Sequence, residues 1–106
     1  MTPLTLEDLH HDLTRGRIYE CTLRDPKWRL DGLQSGENIY IDPRPAILET
    51  LFHELTHRLR PRWSERRVRD ESRRLLSRMD EADIARWWRA YQRVKKKARP
   101  VEVEDE

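Results

Sequence analysis

PAILETLFHELTHRL, residues 45–59, is the stretch around which this chain is organised. Leu48, Leu51, Phe52, Leu55 and Leu59 recur at three- and four-residue spacing, the period of a helix with one apolar stripe. His53 and His57 are four positions apart, so they share a helix face one turn from each other. That face, with Ala46 and Thr50, runs beside the stripe at the margin of the core, where a cleft can open. Two imidazoles so placed can hold one zinc ion from the same side. Glu54 completes the H-E-x-x-H pattern, in which the glutamate serves as general base toward water on that ion.

Downstream, Pro61 ends this helix and Ser64 is a good N-cap for the next, residues 65–79. Val68, Leu75, Leu76 and Met79 are its inward positions. Asp80 caps a last helix, residues 81–98, with Ile84, Trp87, Trp88, Tyr91 and Val94 as the buried stripe. Pro100 stops it, and residues 101–106 form a short acidic tail expected to be mobile. Upstream, Asp42-Pro43 and Pro45 announce the start of the histidine helix. Residues 38–41 read as a short strand, and residues 31–37, with two of the three glycines, as a turn or loop. Residues 17–23 alternate β-branched and aromatic residues and read as a strand. Asp25-Pro26 breaks it, and residues 27–30 form a further extended piece carrying Trp28. Thr5 and Asp8 make a capping box for a first helix, residues 5–13, with Leu6, Leu9 and Leu13 on one face. Gly16 ends it. The order predicts an α+β fold, a two- to three-stranded sheet packed on a helical layer, as one domain over residues 1–100.

Composition narrows the function. The chain has 106 residues, 36% hydrophobic and 40% charged, enough for a modest core under a heavily charged surface. With 22 Lys and Arg against 20 Asp and Glu, the net charge of +2 does not demand a nucleic-acid partner. Cys21 is the single cysteine, which excludes an intramolecular disulfide and a cysteine-based zinc site. Residues 1–13 lack the basic and apolar pattern of a signal peptide, and no stretch reaches membrane-spanning length. The expected compartment is the cytoplasm.

A catalytic zinc usually has three protein ligands and one water. His10 and His11 lie far upstream and read as surface residues of the first helix, and no histidine follows His57. The remaining donors are Glu65, Asp70 and Glu71. Asp70 points away from the face that meets the histidine helix. Glu65 and Glu71 flank that face, so angle alone does not choose between them. Glu65 follows directly on the reversal at Pro61, near His57, and is favoured, with Glu71 as the alternate. The plainer role for Glu65 is an acid at a helix N-terminus. Glu49 is a candidate hydrogen-bond partner for a histidine ring, or a solvated residue.

Residues 38–79 resemble small zincin-type proteins of phage and bacterial genomes. The resemblance is carried by Ile41-Asp42-Pro43, by Leu48-Glu49-Thr50-Leu51, by HELTH at 53–57 and by Trp63-Ser64-Glu65. It implies a minimal gluzincin-like metallopeptidase core: His53, His57 and Glu65 as zinc ligands, Glu54 as base, and a peptide or protein substrate. It also implies that residues 38–41 bind the substrate backbone by strand-edge pairing. Tyr40, Tyr19 and Arg58 are candidate oxyanion donors. So little chain follows Glu65 that either the groove is open or a second copy completes it, with the Trp87-Trp88 helix as one candidate surface for a homodimer. Two other readings compete. One is a non-catalytic zinc protein or pseudo-peptidase that binds other proteins. The other is a nucleic-acid module built on the arginine-rich stretches 58–78 and 86–99, disfavoured because those arginines alternate with acids.

Overall fold

Helix α2, Arg44–Leu59, is the element that the two helices after it meet. The computed structural model describes residues 2–24 and 32–103. In it, α2 is packed by both α3 (Glu65–Ser77) and α4 (Glu81–Val94). Leu48, Phe52, Val68 and Ile84 are the buried hydrophobic residues, one or two from each of the three helices. Trp87 meets the Phe52 ring edge-on, with centroids 4.7 Å apart, the arrangement favoured by aromatic quadrupoles. Leu59, Leu75, Trp87 and Val94, expected inward, are exposed; all but Trp87 lie toward the C-terminal end of their helices. The extended piece carrying Trp28 lies outside the described residues.

Both later helices end earlier than their sequence period suggests. Asp80 must leave helical geometry to cap α4, where its side chain accepts from the Asp83 N–H. That requirement closes α3 at Ser77 rather than Met79. Helix α4 stops at Val94, before the run Lys95-Lys96-Lys97, because nothing apolar remains there to pack and tertiary burial supplies most helix stability. The first helix, α1 (Leu6–Asp12), has the expected Thr5–Asp8 capping box. It contacts none of the other elements among the described residues, and Leu6, Leu9 and Leu13 are exposed.

Three strands form one sheet in the order β1-β3-β2: β1 (Ile18–Glu20), β2 (Gly32–Ser35) and β3 (Asn38–Ile41). Strand β3 pairs in parallel with β1 and antiparallel with β2. Two expectations change here. Residues 32–35 are a strand rather than a loop, and only Gly36, at φ 60°, takes the turn conformation that favours glycine. Residues 38–41 are the central strand, so their backbone groups are already committed on both sides and offer no free edge to a substrate. Gly16 has a separate constraint: a Cβ there would stand 1.7 Å from the Glu37 carbonyl oxygen.

The sheet joins the helices at its end, through a buried ion network. Asp42 is 2% exposed and Arg44 5%. The Asp42 carboxylate accepts from the Arg44 backbone N–H at 3.0 Å, from its guanidinium Nη2 at 2.9 Å and from the Leu23 backbone N–H at 3.0 Å. The same guanidinium donates to Glu81 at 3.0 Å, in the first turn of α4. Asp42 thus fixes the exit of the β1 segment and caps α2 from outside Pro43, whose own side chain cannot. Burial pushes the Asp42 carboxyl up, but hydrogen bonds from the Arg44 side chain and from the Leu23 and Arg44 backbones outweigh it, holding it below the usual 3.8.

A depressed folded-state value means that this carboxylate stabilises the fold above its unfolded value and ceases to as pH falls through the folded one. Asp42→Asn is expected to cost about 3 kcal/mol at neutral pH, the scale for breaking one side of a buried pair. It should also flatten the loss of stability below about pH 4. Urea midpoints of the two proteins at neutral and acid pH check both.

Candidate metal centre

The reversal between α2 and α3 is short and fixed, and it decides what faces His57. Arg60 closes α2 by donating its backbone N–H to the Thr56 carbonyl at 2.8 Å. The Trp63 N–H then donates back to the Arg60 carbonyl at 3.1 Å. The Arg67 guanidinium lies 4.0 Å from the centre of the Trp63 ring, a cation–π contact across the turn. Ser64 caps α3 by accepting from the Arg67 N–H. Glu65 is therefore the first residue of α3, held beside the last turns of α2.

There the carboxylate spans both imidazoles. Glu65 Oε1 is 2.7 Å from His53 Nε2, and Oε2 is 2.7 Å from His57 Nε2. The two Nε2 atoms are 3.2 Å apart. All the donor atoms of this trio lie within 4.8 Å of one another. No assignment of protons to two neutral rings suits every contact. If both Nε2 atoms carry hydrogens, two donors face each other; if either does not, its lone pair faces a carboxylate oxygen. A cation at the point of convergence removes the conflict. The N–N separation also matches the edge of a tetrahedron with Zn–N bonds of about 2.0 Å, roughly 3.3 Å. Two imidazole nitrogens and one carboxylate oxygen are a zinc donor set that leaves a fourth position open. Withdrawal from water works against the Glu65 charge, but the hydrogen bond from His57 and the electrostatic attraction of the two imidazoles hold its carboxyl below the usual range.

The other candidates are placed elsewhere. Glu71 is paired with Arg74 on its own helix, at 2.7 Å, and stands outside the trio. Glu49 pairs with Arg73 across the α2/α3 groove at 3.0 Å, rather than with a histidine ring. Asp70 is exposed, and so are His10 and His11 on α1. Glu54 is exposed and lines two grooves that meet on α2. One runs between α2 and α3 past Glu49, Thr50, His53, Arg69, Ser72 and Arg73. The other is apolar and runs past Ile47, Thr50, Leu51 and Tyr91.

Tyr19 and Tyr40 stack on each other in the sheet, with centroids 5.2 Å apart, and neither lines these grooves. Arg58 lines neither groove either. Tyr91 does line one, a role hidden in the sequence because its position on the apolar stripe of α4 reads as core. Trp87, on the expected dimer surface, packs one edge against Phe52 and stays 37% exposed, and Trp88 lies beside Tyr91 on the same helix. Several arginines of the basic stretches are likewise engaged: Arg73, Arg74 and Arg86 in ion pairs and Arg67 over Trp63.

No family model matches the chain, and no curated protein or solved structure shows a significant match. No helix among the described residues is long and apolar enough to cross a membrane.

Metal analysis of the purified protein tests the trio directly. About one zinc per chain is expected, the stoichiometry of a single three-ligand site. His53→Ala and Glu65→Ala should lose it, and Glu71→Ala should keep it. Full zinc retention by Glu65→Ala would remove that residue from the ligand set.

Proposed function

We propose that the chain is a zinc-dependent peptide hydrolase of the H-E-x-x-H type, with His53, His57 and Glu65 as ligands and Glu54 as general base. The observation that carries the reading is the convergence of two Nε2 atoms and one carboxylate from two different helices, with Glu54 next to His53 in sequence and on the wall of the same groove. Zinc held there supplies Lewis acidity, which acidifies water and polarises a carbonyl. The protein's own contribution is positional. His53 and His57 are fixed by the regular turn of α2, and Glu65 by the Ser64 cap and the Trp63 contact. Glu54 has no ion pair among the described residues, so its carboxylate is available to take a proton from an attacking water and pass it to the departing amine. The groove between α2 and α3 gives an extended chain a place to lie. A single cysteine fits a reducing compartment such as the cytoplasm.

A second reading keeps the metal and drops the chemistry. The donors come from both sides of a helical reversal, so an ion would staple α2 to α3 and add to stability, as structural zinc sites do. This is the non-catalytic zinc protein, and Glu54 separates it from the enzyme. If the chain is a hydrolase, Glu54→Gln is expected to lower peptide turnover by about two to four orders of magnitude while leaving zinc content unchanged. Mass spectrometry of a diverse peptide pool, before and after incubation with each protein, reads the outcome. A wild-type protein that holds zinc and cuts nothing in the pool would decide for the second reading.

A further inference from the structure

Arginine spacing along α3 gives the α2/α3 groove a chemical preference. Glu65, Arg69 and Arg73 are each four residues apart, so they follow one another along one face of the helix, with a rise of about 6 Å per step. Glu65 is in the histidine trio, and Arg73 is neutralised by Glu49 at 3.0 Å. Arg69, between them, lines the groove with His53 and Glu54 and has no ion-pair partner among the described residues. The lining is thus left with one uncompensated cation, Arg69, and one uncompensated anion, Glu54. Across Thr50 and Glu54 the second groove offers Ile47, Leu51 and Tyr91, and is almost wholly apolar.

We infer that the site takes peptides bearing an acidic side chain for Arg69, with an apolar side chain a few residues away for the Ile47–Leu51–Tyr91 groove. The inference rests on the hydrolase reading for the fate of the peptide, but not for its capture. A guanidinium one helical turn from the trio can grip a carboxylate by charge-assisted hydrogen bonds without competing for Glu65, whose two oxygens already face the histidines. Thr50 and Ala46 line both grooves, so a bound chain crosses α2 over small side chains that permit close approach. Glu54 stands at the crossing and repels a second carboxylate there, which keeps the acid on the Arg69 side.

Binding can be read without turnover in zinc-loaded Glu54→Gln protein, by fluorescence anisotropy of three labelled peptides. The first carries Glu and a nearby Leu, the second replaces Glu by Gln, and the third replaces Leu by Ser. The first is expected to bind tightest, on the order of fivefold over the second at low salt, with the gap narrowing as salt rises. Adding Arg69→Gln should erase the Glu-over-Gln gap, and Arg69→Lys should restore part of it. Equal binding of the first two peptides, no binding of any, or a gap that survives Arg69→Gln overturns the inference. So does Arg69-dependent binding of a single-stranded oligonucleotide tighter than that of the Glu peptide. The wild-type protein given the same peptides separates the two claims. An Arg69-dependent gap without cleavage leaves the inference standing and removes the hydrolase reading; cleavage without a gap does the reverse.

Discussion

The Asp42–Arg44–Glu81 network is the constraint to which the rest of the molecule is tied. Moving a carboxylate and a guanidinium out of water costs several kcal/mol each unless their hydrogen-bonding capacity is met. Here the two nearly buried side chains meet it by joining three pieces of chain: the segment after β1, the first turn of α2 and the first turn of α4. The sheet has little other hold on the helices. Its residues are largely exposed, and no helix lies across it among the described residues. A small core, Leu48, Phe52, Val68 and Ile84 among the described residues, then sets α3 and α4 against α2.

The trio depends on this frame only indirectly. His53 and His57 lie on the half of α2 remote from Arg44, and Glu65 reaches them through the turn. The site is therefore built mainly from local sequence: a helix, a tight reversal and the first residue of the next helix. That locality makes the convergence of His53, His57 and Glu65 legible in the sequence. The i,i+4 spacing of the histidines, the break at Pro61 and the cap at Ser64 each have a short-range physical meaning, and together they brought Glu65 to the front. Angle does not separate Glu65 from Glu71: the fold brings Glu65 to the histidines, while Glu71 pairs with Arg74 on its own helix.

What the sequence concealed was long-range. A pattern of four residues reading as a strand says nothing of whether it lies at the edge or the centre of a sheet, and β3 lies at the centre. Glycines at 32 and 36 carry the same letter, yet only Gly36 uses its freedom at positive φ. Tyr91 reads as core by its period but lines a groove, because α4 meets α2 over only part of its length. Leu6, Leu9 and Leu13 form an apolar stripe that implies burial, and α1 finds no partner among the other elements. In each case the pattern is local and its context is supplied by the rest of the fold.

The ion pair between Glu49 and Arg73 has a further meaning for the groove it crosses. It joins α2 and α3 well away from the turn that links them, while Glu65 joins them close to that turn. Contacts at both ends of the helix pair, even a half-exposed ion pair at one of them, favour rails over jaws. The ordering entropy of the walls is then spent during folding instead of at the moment of capture. Recognition along such a track is a matter of which chains fit a slot of set gauge.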